Sequence, residues 1–227
     1  MESTLLLRCE GIMQSWGVSS RFSQRETGME PSFSGIIGLI LCSLGKEESS
    51  FPLTDLTALQ MAVRVDKEGK ILRDYQTALG GKYATYDLET GKKIINDPQG
   101  FPLPSGRYRG KGKATITSDR YYLQDASFLV GIYGSKNLLE IIANALSDPV
   151  WPLFLGRKCC PPSVPVFIGL VDRPLLDAVK LHPLTDRKAV RLIFESENGV
   201  IRYDIPVSFE RREFRGRRVS SIMWEAS

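Results

Sequence analysis

An α+β fold is what this 227-residue sequence predicts. Three observations carry the prediction. Strand-like alternation recurs in short segments, two stretches repeat apolar residues at helical spacing, and the two kinds of segment are interleaved along the chain. Thr4–Cys9 is a compact apolar strand that ends at Gly11. A polar stretch, Gln14 to Glu30, leads to Pro31-Ser32-Phe33-Ser34-Gly35, which opens a helix with Ser34 as N-cap and Gly45 as stop. Ile36, Ile37, Leu39, Ile40, Leu41 and Leu44 surround most of its circumference, so burial is expected, and Gly38 leaves room for another backbone to come close.

Ala58–Val65 alternates as a half-buried strand, Asp66-Lys67-Glu68-Gly69 is a turn, and Ile71–Leu79 reads as the returning strand. Tyr121–Tyr133 is again strand-like, Ser135–Leu146 is an amphipathic helix ended by Pro149, and Val164–Val171 closes the unit. Strand, helix, strand, strand, helix, strand is the ferredoxin-like (RRM-like) pattern. Residues 80–120 hold seven of the twenty glycines and three prolines with few core-type residues, so they read as an arm or β-hairpin inserted between core strands. Past residue 172 a small C-terminal β unit is expected. There Val190, Leu192 and Phe194 alternate, Asn198-Gly199 signals a hairpin turn, and Val200–Val207 returns. Phe209–Arg218 adds a basic tail with five arginines in ten residues. The expected division is 1–172, with 80–120 inserted, and 173–227.

Composition narrows the function classes. Hydrophobic residues at 42% and charged residues at 25% suit a soluble globular protein, and the net charge of +4 is mild. Cys9, Cys42, Cys159 and Cys160 form no C-x-x-C pair, and His182 is the only histidine, which excludes a zinc site of usual spacing. Cys9 and Cys42 read as small buried hydrophobes. MESTLLLRCE is too short in uncharged residues for a signal-peptide core, and Ile36–Leu44 is far below a membrane span. A cytoplasmic protein with reduced thiols and no membrane partner is expected.

Enzymatic readings find little support. A nucleophile–histidine arrangement would need His182, which lies in the loop-like LHPLTD. Neither phosphate-loop nor dinucleotide fingerprints occur, no cofactor is indicated, and the acids are scattered rather than clustered for metals. A metal-free ribonuclease using Tyr and Lys stays open at this level.

Binding readings are better supplied. Arg107, Arg109, Lys111 and Lys113 surround Tyr108, with Gly106, Gly110 and Gly112 keeping the backbone accessible. Cations with an interleaved aromatic suit a nucleic-acid strand, and they equally describe a solvated basic loop. Gly156-Arg157-Lys158 offers amides and two cations to a phosphate. The third candidate combines Gln14, Trp16, Arg21 and Arg25 with the helix N-terminus at Ser34-Gly35, where free amides favour an anion. Trp16 fits a core position as well. For the arginine-rich tail, RNA, a protein partner and solvent all remain open.

The order of these pieces resembles CasD proteins, the fifth Cas family of type I-E CRISPR systems. The resemblance runs through Thr4-Leu5-Leu6-Leu7-Arg8, Gly11–Gly17 and Thr27–Leu39, then Leu72–Thr77, Gln124–Phe128 and Leu155–Pro161. These blocks cover residues 4 to about 170, and the C-terminal stretch matches loosely. The resemblance implies a RAMP domain with a projecting thumb that binds the 5′ handle of a CRISPR RNA inside the Cascade complex. It also implies contacts with the large subunit and the neighbouring backbone subunit, with target DNA met only through the complex. Arg73, within Leu72–Thr77, joins the RNA-binding candidates on this ground. In type I-E systems a different subunit cuts the precursor, so a non-catalytic role is implied; the alternative is a metal-independent endoribonuclease, as in a sister type that uses Tyr, Lys and His. No Lys-His pair occurs here. Two departures stand out. Phe33 occupies a position commonly basic in the family, so a phosphate contact there is lost, and the 80–120 arm is longer than the family's.

Overall fold

In a computed structural model, the described residues are 2–18, 20–21, 23–46, 53–79, 83–86, 93–96, 115–184 and 189–225. In chain order the elements are β1 (Glu2–Glu10), β2 (Met13–Gln14), β3 (Ser20–Arg21), β4 (Gln24–Arg25), α1 (Phe33–Leu44), α2 (Leu53–Thr57), β5 (Gln60–Lys67) and β6 (Lys70–Leu79). They continue with β7 (Tyr83–Tyr86), β8 (Lys93–Asn96), β9 (Thr115–Gln124), β10 (Ser127–Ser135), α3 (Lys136–Ser147), β11 (Phe167–Val171), α4 (Leu175–Leu181), β12 (Ala189–Ser208) and β13 (Glu213–Glu225). The fold is a mixed α/β one dominated by antiparallel pairing. Among the described residues no helix is long and apolar enough to cross a membrane.

The chain divides into two compact units. One comprises 1–20, 26–72 and 121–227, and the other 21–25 and 73–120. In the larger unit six strands run in the order β11-β1-β10-β5-β12-β13. Thus β1, α1, β5, β10, α3 and β11 make the strand–helix–strand–strand–helix–strand run, with its strands lying fourth, first, third, second across the sheet. Their register is antiparallel throughout, with Leu5 opposite Ile132 and Val130 opposite Val63. Leu5, Leu7 and Cys9 of β1 join Met61, Val63, Phe128 and Val130 in one cluster with Ile36, Ile40, Leu139 and Ile142 of α1 and α3. The opposite face buries Leu6, Ala62, Leu129 and Leu192 under Ala178 and Val179 of α4. Arg64 lies wholly inside this second layer. All five of its N–H groups are used, on Asp66 and on the carbonyls of Val179, His182 and Pro183. The C-terminal end of α4 is tied to the sheet by this one side chain.

Several expectations are corrected. The strand returning beside β5 is β10, whereas Ile71–Leu79 lies in β6, which pairs with β9. Tyr121–Tyr133 is split at Asp125, whose φ is 56°, into the end of β9 and β10. Asn198-Gly199 makes no hairpin turn. β12 runs on through residue 208 with a register shift between Glu195 and Val200, and Val219 is the partner of both. A Cβ at Gly199 would lie 2.4–2.6 Å from the Val219 backbone, so this glycine serves close approach. The turn falls at residues 209–212, before β13. β12 pairs with β5, so the 173–227 region, expected as a small separate β unit, contributes two strands to the six-stranded sheet. Arg215, Arg217 and Arg218 of the expected tail lie in β13.

Helix α1 is capped by Ser32 rather than Ser34: the Ser32 Oγ accepts from Gly35 N at 3.2 Å. It ends at Gly45 in the left-handed region, φ 62°, as a C-terminal glycine stop requires. A Cβ at Gly38 would meet nothing within 4 Å, so among the described residues no other backbone approaches it. Cys9 is buried and its thiol is pushed up to about 12 by burial. Cys42 is only half-buried, contrary to expectation, with Sγ 3.5 Å from the Pro152 carbonyl.

Candidate nucleic-acid interface

The loop at 155–160 is built from its own backbone. Leu155 N donates to Cys160 O at 2.7 Å and Cys160 N to Arg157 O at 2.8 Å. Gly156 takes φ 91°, and a Cβ there would sit 1.7 Å from the Ser15 carbonyl oxygen, so only glycine fits. Ser15 N donates to Leu155 O and Ser163 N to Glu10 O, fastening the loop to the chain after β1. The Arg157 guanidinium lies over the Tyr122 ring, 4.8 Å from its centroid. The Tyr122 hydroxyl sits 3.6 Å from Cys159 Sγ. Burial, then the Cys159 thiol, raises the Tyr122 phenol above its ordinary value. Arg157 is thereby oriented by stacking, while Lys158 projects exposed.

Gln14 and Trp16 are corrected from RNA contacts to internal supports. Both are fully buried. Gln14 Nε2 donates to Cys9 O at 3.1 Å and Ala126 O at 2.8 Å, and Trp16 Nε1 donates to Gln14 Oε1 at 3.0 Å. The Trp16 ring then fills the space over Gly35, where a Cβ would come within 2.8 Å of it.

The helix N-terminus is likewise no open anion site. Phe33 N donates to Asp204 Oδ2 at 2.9 Å, and Gly35 N and Ile36 N are held by Ser32. Ser34 Oγ lies 3.4 Å from Ser32 Oγ. Asp204 in turn receives Arg217 through both Nε (2.7 Å) and an Nη (2.9 Å), and Arg217 rests over the Phe33 ring at 5.3 Å. Buried Glu30 takes Arg191 and Arg202. The arginines at 191, 202 and 217 therefore build an internal network.

In the smaller unit, β4 runs parallel to β9 and Arg73 Nε donates to Asp119 Oδ1 at 2.8 Å, with Arg25 and Arg73 exposed. Arg21 is described by its backbone in β3 only. Arg107, Tyr108, Arg109, Lys111 and Lys113 lie outside the described residues.

His182 caps the C-terminal end of α4, and its carbonyl accepts from Arg64. Burial, then Arg64 and Arg8, lowers the pKa of its ring. A cavity of about 620 Å³ opens beside Arg8, Glu10 and Ser127. Within it Arg8 pairs with Asp66 at 2.6 Å, and the Ser127 hydroxyl donates to Glu10 at 2.6 Å. Among the described residues no cluster of His, Cys, Asp or Glu could hold a metal. Tyr122, Asp204 and Arg64 escaped the sequence reading, because their partners are remote in the chain.

The sequence profile described as CRISPR-associated protein (Cas_Cas5) matches residues 4–220. The chain belongs to the Cas5 family. One relative, the CRISPR system Cascade subunit CasD of Escherichia coli (strain K12), is 32% identical over 183 residues, 74% of this chain and 71% of that protein. A solved structure titled as a Cas protein matches with a TM-score of 0.71 at 33% identity, covering 98% of this chain and 95% of the other. A chain of a CRISPR RNA-guided surveillance complex matches with a TM-score of 0.73 at 32% identity, covering 98% and 90%. In this Cas5 family member the block Leu155–Pro161 combines a backbone position that only glycine fits with a half-buried Arg157 and an exposed Lys158.

Proposed function

We propose that this chain is a non-catalytic, cytoplasmic subunit of a CRISPR RNA-guided surveillance complex that binds and caps the 5′ handle of the guide RNA and helps the complex assemble. What carries the reading is its likeness, at 32% identity and over 98% of its length, to a chain of such a complex. The strand order β11-β1-β10-β5 under two helices supports a ferredoxin-like RAMP core, and residues 80–120 would be the inserted thumb. Arg157 and Lys158 meet the handle's phosphates from the Gly156 loop. Arg25 and Arg73 belong to the same function with the thumb cations Arg107, Arg109, Lys111 and Lys113, while Tyr108 offers a base a stacking face. Large and backbone subunits are the protein partners, and target DNA is met through the assembled complex.

The test is co-purification of the tagged chain with guide RNA and complex subunits, alongside incubation of the isolated protein with precursor RNA on denaturing gels. Assembly with intact RNA is the expected result. Cleavage of the repeat without metal, abolished by His182→Ala, would overturn the non-catalytic role.

A further inference from the structure

Of the chain's four cysteines, two meet. Cys9 is sealed in the core and Cys42 Sγ faces the Pro152 carbonyl, whereas Cys159 Sγ lies 4.0 Å from Cys160 Sγ. The pair sits in the loop that carries Arg157 and Lys158. Its members differ in access: Cys159 is exposed and Cys160 is fully buried. Cys160 is also the fixed one. Its carbonyl accepts from Leu155 N at 2.7 Å, its amide closes the turn onto Arg157 O at 2.8 Å, and Pro161 and Pro162 follow it. Cys159 Sγ touches the Tyr122 hydroxyl at 3.6 Å, and the Tyr122 ring in turn carries the Arg157 guanidinium.

An accessible thiol beside a second thiol is the arrangement in which oxidation ends in a disulfide and can be reversed. Burial, then Cys159, keeps the Cys160 thiol pushed up to about 12, so Cys159 is the group that meets an oxidant. We propose that Cys159 and Cys160 form a redox-modification site, at which a hydroperoxide drives closure of a vicinal disulfide that withdraws the loop from RNA phosphate. In the first step one peroxide oxygen transfers to Cys159 Sγ; the O–O bond breaks, leaving a sulfenic acid and water or an alcohol. In the second, Cys160 Sγ displaces the new hydroxyl, which departs as water with the Cys160 proton. The two thiols give up two electrons and the peroxide accepts them. The sulfurs close from 4.0 Å to about 2 Å. With Cys160 fixed, Cys159 is the one that moves, leaving Tyr122 and drawing Lys158 with it. Neighbouring Cα atoms lie about 3.8 Å apart, short of the roughly 4.4 Å at which disulfide spacings usually begin. The ring therefore distorts the turn between Arg157 O and Cys160 N, and cellular thiols reduce it readily. The effect on RNA rests on the functional reading above, whereas the disulfide itself does not.

The experiment treats the reduced full chain with hydrogen peroxide, blocks remaining thiols by alkylation and maps the peptides by mass spectrometry. The peptide bearing Cys159 and Cys160 should lose two hydrogens and escape alkylation, and dithiothreitol should restore both thiols. Over the same cycle the affinity for a synthetic 5′-handle RNA should fall several-fold and return. Cys159→Ser, an exposed change that spares the buried partner, should bind the RNA as the reduced chain does and lose its response to peroxide. Cys160→Ala should stop the reaction at the Cys159 sulfenic acid, trapped by dimedone; the serine variant keeps the test decisive whether or not this one folds. Oxidation of Cys159 only to a sulfinic acid, pairing with Cys9, Cys42 or a second chain, or no reaction would overturn the proposal. So would an oxidised chain that holds the RNA as tightly as the reduced one. Failure of the reduced wild-type chain to bind the RNA at all would instead withdraw the functional reading, and the disulfide, judged by mass alone, would stand.

Discussion

The loop at 155–160 and the N-terminus of α1 look alike in sequence and part company in the fold. Each offers a glycine, backbone amides and nearby cations, the ingredients of an anion site. At α1 the chain supplies its own anion: Asp204 takes the Phe33 amide, and Arg217, close by, is spent on Asp204. At the loop the Leu155, Gly156 and Cys160 amides are also used internally, but Arg157 lies half-buried over Tyr122 and Lys158 is exposed. The loop thus differs from the helix N-terminus in carrying an exposed cation, Lys158.

The sharpest way to break this comparison is Asp204→Ala. It leaves Arg217, 7% exposed, buried without its bidentate carboxylate, and removal of one partner from a buried pair costs about 3–5 kcal/mol. Urea denaturation should show that loss, while RNA affinity of the folded protein stays unchanged. A stable variant with tighter RNA binding would mean that Asp204 competes with phosphate, and the contrast between the two regions would collapse. Next in size is Gly156→Ala. A φ of 91° in a non-glycine residue costs about 1–3 kcal/mol, and the new methyl must also displace the Ser15 carbonyl. Stability and RNA affinity should fall together, since the loop itself is reshaped. Arg157→Ala with Lys158→Ala should do the reverse of Asp204→Ala. Stability should change by less than about 1 kcal/mol, with the salt dependence of RNA binding shallower by about 0.7 per lost phosphate contact. An unchanged slope would remove the loop from the interface.

Local signals were legible in the sequence and remote ones were not. The Gly45 stop and the span of α3 could be read because caps and helical periodicity act within a turn or two. The sequence places the N-cap at Ser34 and the structure at Ser32, because either serine can cap and only the tertiary path decides. Asn198-Gly199 misled because its glycine answers the backbone of Val219, a residue of another strand. The true turn at 209–212 contains neither Gly nor Asn, and its left-handed residue is Arg212, φ 55°. The cations of 156–158 were visible as residues, whereas Tyr122 beneath Arg157 was not. The filling of the helix N-terminus depends on a contact between positions 171 residues apart, and no pattern in Pro31–Gly35 could announce it.

The smallest expected effect separates structure from function at His182. Its ring pKa is lowered in the folded chain, chiefly by burial and then by Arg64 and Arg8, so the unfolded chain binds the proton more readily. Between the depressed folded value and the unfolded one near 6.5, the unfolded state therefore carries more protons, and stability rises with pH. As pH falls through that window the contribution is lost, and it is fully present above pH 6.5. The ring is not deeply buried, so the slope should be shallow. His182→Gln should flatten this part of the stability–pH curve and leave RNA binding untouched, because the bond that ties α4 to Arg64 uses the backbone carbonyl. A pH-dependent change in RNA cleavage or affinity that vanished in His182→Gln would give the histidine a chemical role that its position as a helix cap does not provide.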